Sequence, residues 1–322
     1  MRRKLAIGMV VCCLVLLGVT QAHAWGSAAH CYVAGEIGKE LPLMNANESY
    51  GIVGPDIFNY SFELTSQPEL YENLYAHTHG VAGNEAFMKV WEIAKFHNYQ
   101  KNLAYGYVAH NDVWGMDFTA HWKARTISAP DDSFGEIPPG YVIIKAYLLN
   151  QVLTSNVPKW KNLPLDDTAK IGLAHDLVET AVDILIARMD PQIGEKMIWS
   201  ALLRNRDFPV LLTKAIGDEY RGLIFSAEKE FRKIIILLGT ALTQDEESAI
   251  DSLSDNMAEL GVALLQMQGI TIDPADAKLL AEAGIQIAMG LCEPDLADEI
   301  AATIQFVKNN LRHHAVTYLG WG

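Results

Sequence analysis

"LDDTAKIGLAHDLVETAVDILIARM", residues 165–189, carries apolar side chains at three-and-four spacing from end to end. That is the period of a helix with one buried face. Two polar residues interrupt the apolar pattern. His175 and Glu179, at i and i+4, sit one turn apart on the same side. An unpartnered carboxylate in such a helix is costly. The pair therefore reads either as an intrahelical His–Glu contact or as two ligands of one cation. Asp183 continues that face by another turn, where it can orient a ligand from behind.

The same period recurs outward from this stretch, in residues 25–41, 84–96, 243–269 and 273–290. Thr243 with Glu246 reads as a capping box. Asp273 followed by Pro274 reads as an N-cap and first helical position. No segment shows the alternation of a strand, and no internal repeat is present. The predicted class is all-α, a multi-helix bundle. "SAPDDSFGEIPPG", residues 128–140, is the clearest loop.

Residues 1–24 read as a secretory signal. Arg2, Arg3 and Lys4 precede an apolar run too short to span a bilayer, and Ala22-His23-Ala24 is an A-x-A cleavage site. Cleavage there makes Trp25 the first residue, and the product is expected in the periplasm or the medium. The leader holds three of the 25 Lys and Arg and no acid, so 22 bases face 39 acids, a net charge of −17. Such a surface has no general attraction for nucleic-acid backbones or anionic lipid, and no stable nucleic-acid partner is expected. Cys31 and Cys292 remain after processing, enough for one disulfide but not for a disulfide framework. Eight of the ten histidines lie before residue 190. This divides the processed chain into a chemistry-bearing region, 25–190, and a helical region without assigned role, 191–322.

Within the first region "AHNDVWGMDFTAHW", residues 109–122, holds His110, Asp117 and His121. On one continuous helix these would align within about 20°, whereas Asp112 would lie about 200° from His110. Asp56 follows the turn pair Gly54-Pro55, and reads as a helix cap or a ligand. His77 and His79 are two apart, so only one should face a given site, with His79 favoured. Trp25 offers an α-amine of pKa about 7.7–8.0, whose proton a metal displaces at little cost. His30 stands little more than a turn further on. Together these are five histidines, three carboxylates and an α-amine, a donor set suited to three ions at three or four ligands each.

In this ordered set the chain resembles the secreted zinc-dependent phospholipases C of bacteria and their relatives, the zinc-dependent single-strand nucleases of fungi and plants. The resemblance covers roughly residues 25–185. It implies an all-α fold and a trinuclear Zn2+ site. Trp25 and His30 match the N-terminal tryptophan and first histidine, Asp56 the first acid, and His79 or His77 the next histidine. His110, Asp117 and His121 match the central His–Asp–His set, and His175 and Glu179 the final pair. The family usually places its central acid four residues after the histidine. Here Trp114 stands in that position and Asp117 comes seven after.

The resemblance implies a phosphodiesterase acting on phospholipid, with Asp56 as the catalytic carboxylate that bridges ions or orients or deprotonates the attacking water, and transient contact with a membrane surface. A single-strand nuclease or nucleotidase is the alternative within the same superfamily. A non-catalytic helical metal-binding protein is the alternative outside it.

Overall fold

The computed structural model describes residues 25–38, 45–61, 64–129, 139–204, 206–267 and 269–317. The leader and residues 130–138 of the acidic loop lie outside them. The described residues are helical throughout, with a single isolated bridge between Val81 and Asn84. The all-α expectation holds. None of the described helices is long and apolar enough to cross a membrane.

The chain enters through α1 (Ser27–Ile37), buried on nearly every side. Next come α2 (Asn45–Val53) and a 3-10 turn at Gly54–Phe58. Then follow α3 (Pro68–Thr78), α4 (Met88–Ala94) and α5 (Asn98–His110). α2 and α5 cross at backbone contact. A Cβ on Gly51 would stand 2.1 Å from the Leu103 carbonyl oxygen, and one on Gly106 would stand 2.2 Å from that of Glu48. No other residue type fits at such a crossing. Its consequence for the site is direct, because α2 presents the Ile52 carbonyl to the last residue of α5, His110.

The stretch quoted first forms α8 (Asp167–Met189), which the Asp166 carboxylate caps by accepting from the Ala169 N–H. It packs against α6 (Tyr141–Asn156), which precedes the short α7 (Pro158–Lys161). Residues beyond 190 form α9 (Ile193–Arg204), α10 (Asp207–Ile216), α11 (Arg221–Leu242), α12 (Glu246–Met267), α13 (Pro274–Cys292) and α14 (Leu296–His313). These share one apolar core with the first region: α9 and α14 pack on α1, and α13 packs on α8 and α6. Buried polar ties join the two regions. Lys145 Nζ donates to the Leu291 carbonyl at 2.7 Å and to Asp295 Oδ2 at 2.6 Å. The Glu299 carboxylate accepts from the backbone N–H groups of Arg125 and Thr126, at 2.7 and 2.6 Å.

Asp273 and Pro274 open α13 as the sequence indicates, with Asp273 accepting from the Ala275 N–H. The capping box does not form. Thr243 ends α11 and donates to the Thr240 carbonyl, while Asp245 caps α12 by accepting from the Ser248 N–H. An acid one residue before the helix is the stronger cap, and it displaces the threonine. Cys31 and Cys292 are both buried free thiols, so the possible disulfide is not made.

Candidate metal centre

The segment 110–121 is not one helix. α5 stops at His110, and Asn111 turns the chain: its Oδ1 accepts from the N–H groups of Val113, Trp114 and Gly115, and its Nδ2 donates to the Val108 carbonyl. Helix resumes with a π turn at Phe118–Trp122. The expected alignment by helical period fails because the asparagine side chain satisfies the backbone groups of a turn. His110 and Asp117 are brought together by that turn. Asp112, which a straight helix would direct away, comes into the site instead.

Four groups of three donors result, each with its ligating atoms within 4.8 Å of one another: His30, His110 and Asp117; Asp56, His79 and His110; Asp112, Asp117 and His121; His175, Asp176 and Glu179. Of the two neighbouring histidines, His79 closes α3 and joins a group; His77 is half-buried on α3 and joins none. Eight of the ten residues named from the sequence thus fall in these groups; His77 and Trp25 do not. Asp112, Asp176 and Tyr75 were not foreseen.

The histidine rings share one arrangement. His110 Nδ1–H donates to the Ile52 carbonyl at 2.7 Å, and His30 Nδ1–H donates to the Gly26 carbonyl at 3.0 Å. His79 Nδ1–H donates to Thr78 Oγ1 at 2.8 Å, whose own hydroxyl is spent on the Tyr75 carbonyl. His121 Nδ1–H donates to Asp112 Oδ1 at 2.9 Å, and Tyr75 holds the other oxygen of that acid. Four rings therefore have Nδ1 engaged with the protein. A ring fixed in this way exposes the lone pair of Nε2 and is the usual support of a metal-ligating histidine.

Three of those Nε2 atoms converge on two acids. His30 and His110 lie 2.8 and 2.7 Å from the two oxygens of Asp117, and His79 lies 3.2 Å from Asp56 Oδ1. Burial opposes ionisation of Asp56 and Asp117, but His110 and its neighbouring histidines outweigh it, so both carboxyls titrate below the usual range. Burial also opposes protonation of His30, yet the Asp117 carboxylate raises its pKa.

The second half of the site lies on α8. His175 makes no hydrogen bond at either ring nitrogen, and Glu179 Oε1 makes none either. His175 Nδ1 is 3.6 Å from Glu179 Oε1, and its ring stacks at 5.6 Å from that of His121. Burial and the neighbouring His121 lower its pKa to about 3. Burial, with Asp176 next, drives Glu179 well above the carboxylate range. A buried imidazole and a buried carboxyl with no hydrogen-bond partner are rare in a finished protein. Here they are what a cation would satisfy. The same holds for His110 Nε2 and Asp117 Oδ2, which make no hydrogen bond. Imidazole and carboxylate together suit zinc and similar divalent ions.

Asp183 holds a helix end instead of orienting a ligand on its own face. It accepts from the N–H groups of Ala28 and Ala29 at 2.9 and 3.0 Å, capping the helix that carries His30. Its carboxylate occupies the space a Cβ on Gly26 would need, at 2.3 Å. The Trp25 side chain is a core aromatic: its indole N–H reaches the Met116 carbonyl and Thr119 Oγ1, and its ring stacks on Tyr141. That packing fixes Trp25 at the N-terminal end of α1, the end that carries His30.

A cavity of about 550 Å³ adjoins the α8 group, lined by Asp176, Glu179, Asp183 and Asn59, by Tyr60, Trp160 and Glu259, and for the most part by aliphatic side chains of α8, α11, α12 and α13. In comparison with known proteins, no family model, no curated protein and no solved structure matches the chain.

Proposed function

We propose that the chain is an exported zinc-dependent phosphodiesterase acting on phospholipid, a phospholipase C, with three zinc ions. The observation that carries this reading is the set of buried ligating atoms without a hydrogen bond, His110 Nε2, Asp117 Oδ2, both ring nitrogens of His175 and Glu179 Oε1, beside a largely aliphatic cavity.

His30, His79, His110, Asp56 and Asp117 would hold ions on one side, and His121, His175 and Glu179 on the other. The backbone amine and carbonyl of Trp25 would complete the set after cleavage. Bound zinc supplies charge neutralisation for an anionic phosphodiester and lowers the pKa of water. Asp56 is the residue placed to handle the attacking water. Asn59 Nδ2 donates to its Oδ1 at 2.7 Å, and Asn59 also lines the cavity. Asp56 would orient or deprotonate the attacking water. Asp112 and Tyr75 keep His121 in the tautomer that presents Nε2.

The lining is mostly aliphatic, which favours a lipid chain, although Tyr60 and Trp160 also line the cavity and offer faces on which a base could stack. Hydrolysis of phosphatidylcholine and of single-stranded DNA by the zinc-loaded protein tests the choice. Release of phosphocholine supports the reading. Cleavage of DNA alone transfers it to the nucleases, and activity on neither leaves a helical metal-binding protein.

A further inference from the structure

The helices after residue 190 have no ligand in the donor groups, yet they build most of the cavity that meets those groups. Leu238 and Leu242 come from α11, Leu253 and Leu265 from α12, and Leu280 from α13, while α8 contributes Leu177. Most of these side chains are buried. Leu237 and Leu260 also line the cavity but are 43 % and 41 % exposed, which places them at its mouth. Such leucines, uncovered on facing helices, cost hydration that a bound apolar group would recover.

Glu179, with its unbonded Oε1, lines the cavity with Asp176 and Asp183 from α8, Glu259 is an exposed acid on α12, and no lysine or arginine is among the described lining residues. A free fatty acid would find no cation along this wall. An uncharged chain whose phosphate lies at the metal end meets an aliphatic surface along its length. At about 30 Å³ for a water-sized group, 550 Å³ holds roughly 18 of them, and a methylene is of that order. The volume also falls within the ~300–1,000 Å³ of small-molecule sites.

We infer that the region 191–322 forms an acyl-chain site, which takes one aliphatic chain of a lipid phosphoester between α8, α11, α12 and α13 and aims its head at Glu179 and His175. This rests on the phosphodiesterase reading for the identity of the head, but not for the chain. It gives the C-terminal helices a role in choosing substrate.

Trp160 lines the cavity and is buried, so a heavy-atom quencher on the chain reports occupancy without any catalysis. Gly261 also lines it, on α12, and a Cβ added there meets no atom within 4 Å. Gly261→Phe therefore fills space rather than displacing backbone. Ala277→Phe on α13 is a second occluding change, chosen so that the result does not depend on one variant folding.

The probe is a terminally brominated dodecanol, titrated into the full processed chain with zinc and again with chelator, read by tryptophan fluorescence. Saturable quenching is expected in both conditions, reduced by more than half in Trp160→Phe. Gly261→Phe and Ala277→Phe should weaken the probe by roughly tenfold or more. Absence of saturable quenching in the unmodified chain, or equal quenching in a folded occluding variant, overturns the site. Saturable, occludable quenching in a protein that hydrolyses no phosphoester upholds the chain site and removes the phosphodiesterase.

Discussion

His110 Nε2 lies 2.7 Å from Asp117 Oδ2, and neither atom makes a hydrogen bond. Nδ1 of the same ring already donates to Ile52, so Nε2 and the carboxylate oxygen need a cation with them, either a proton on the ring or a metal. The ring and the acid are oriented as a pair of ligands would be.

Asp112 is the sharpest discriminator between a metal centre and a satisfied polar core. It accepts from His121 Nδ1–H and shares a donor group with Asp117 and His121, so its loss should weaken a bound metal. Asp112→Ala is expected to weaken zinc binding by roughly 10–100-fold, measured by competition with a chromogenic chelator. An unchanged affinity would return Asp112 to the role of a surface acid.

His77 and His79 provide an internal control on one helix end. His79→Ala should remove at least one ion per chain by elemental analysis, because His79 meets Asp56 and His110. His77→Ala should leave the metal content as it was.

The close crossing of α2 and α5 links packing to the site. A methyl on Gly106 would stand 2.2 Å from the Glu48 carbonyl oxygen, so the helices must separate. Gly106→Ala should destabilise the fold by about 1–3 kcal/mol or more in denaturant titration. It should weaken zinc as well, since the same crossing places Ile52 against His110.

Metal-free and metal-loaded protein should respond to pH with opposite sign above pH 6.5. Asp117 raises the folded pKa of His30, so the stability from their ion pair is present below 6.5 and is lost as pH rises through the raised value. Glu179, pushed up by burial, adds to the loss, because the unfolded chain ionises it first. His175, held down at about 3, partly offsets this loss until the unfolded imidazole is neutral at about pH 7.5. The melting temperature of the chelator-treated chain should therefore fall as pH rises from 6.5. Zinc affinity should rise over the same range, because the metal must displace the proton of His30. A metal-free chain that gains stability with alkali would contradict the assignment.

Much of this site is legible in the sequence because helical period places His175, Glu179 and Asp183 on one face whatever the rest of the chain does. The link from His30 to Asp117 needed no local pattern, only the ordered donor set. The segment 110–121 was misread in mechanism, though not in residues. Period alone cannot see Asn111, whose side chain breaks the helix and turns Asp112 inward. Asp176 adjoins His175 in the chain and could have been found by asking which acids lie within a turn of both His175 and Glu179. Thr243 was misread for a related reason, since the competing cap at Asp245 lies two residues on. The cavity had no sequence signal. It arises where four helices from distant parts of the chain meet, and only their packing reveals it.

The most direct measurement is the metal content of the full chain processed to begin at Trp25 and purified without chelator, by elemental mass spectrometry. The account predicts about three zinc ions per chain. A folded protein with no bound divalent metal, and none taken up from excess zinc, would contradict it.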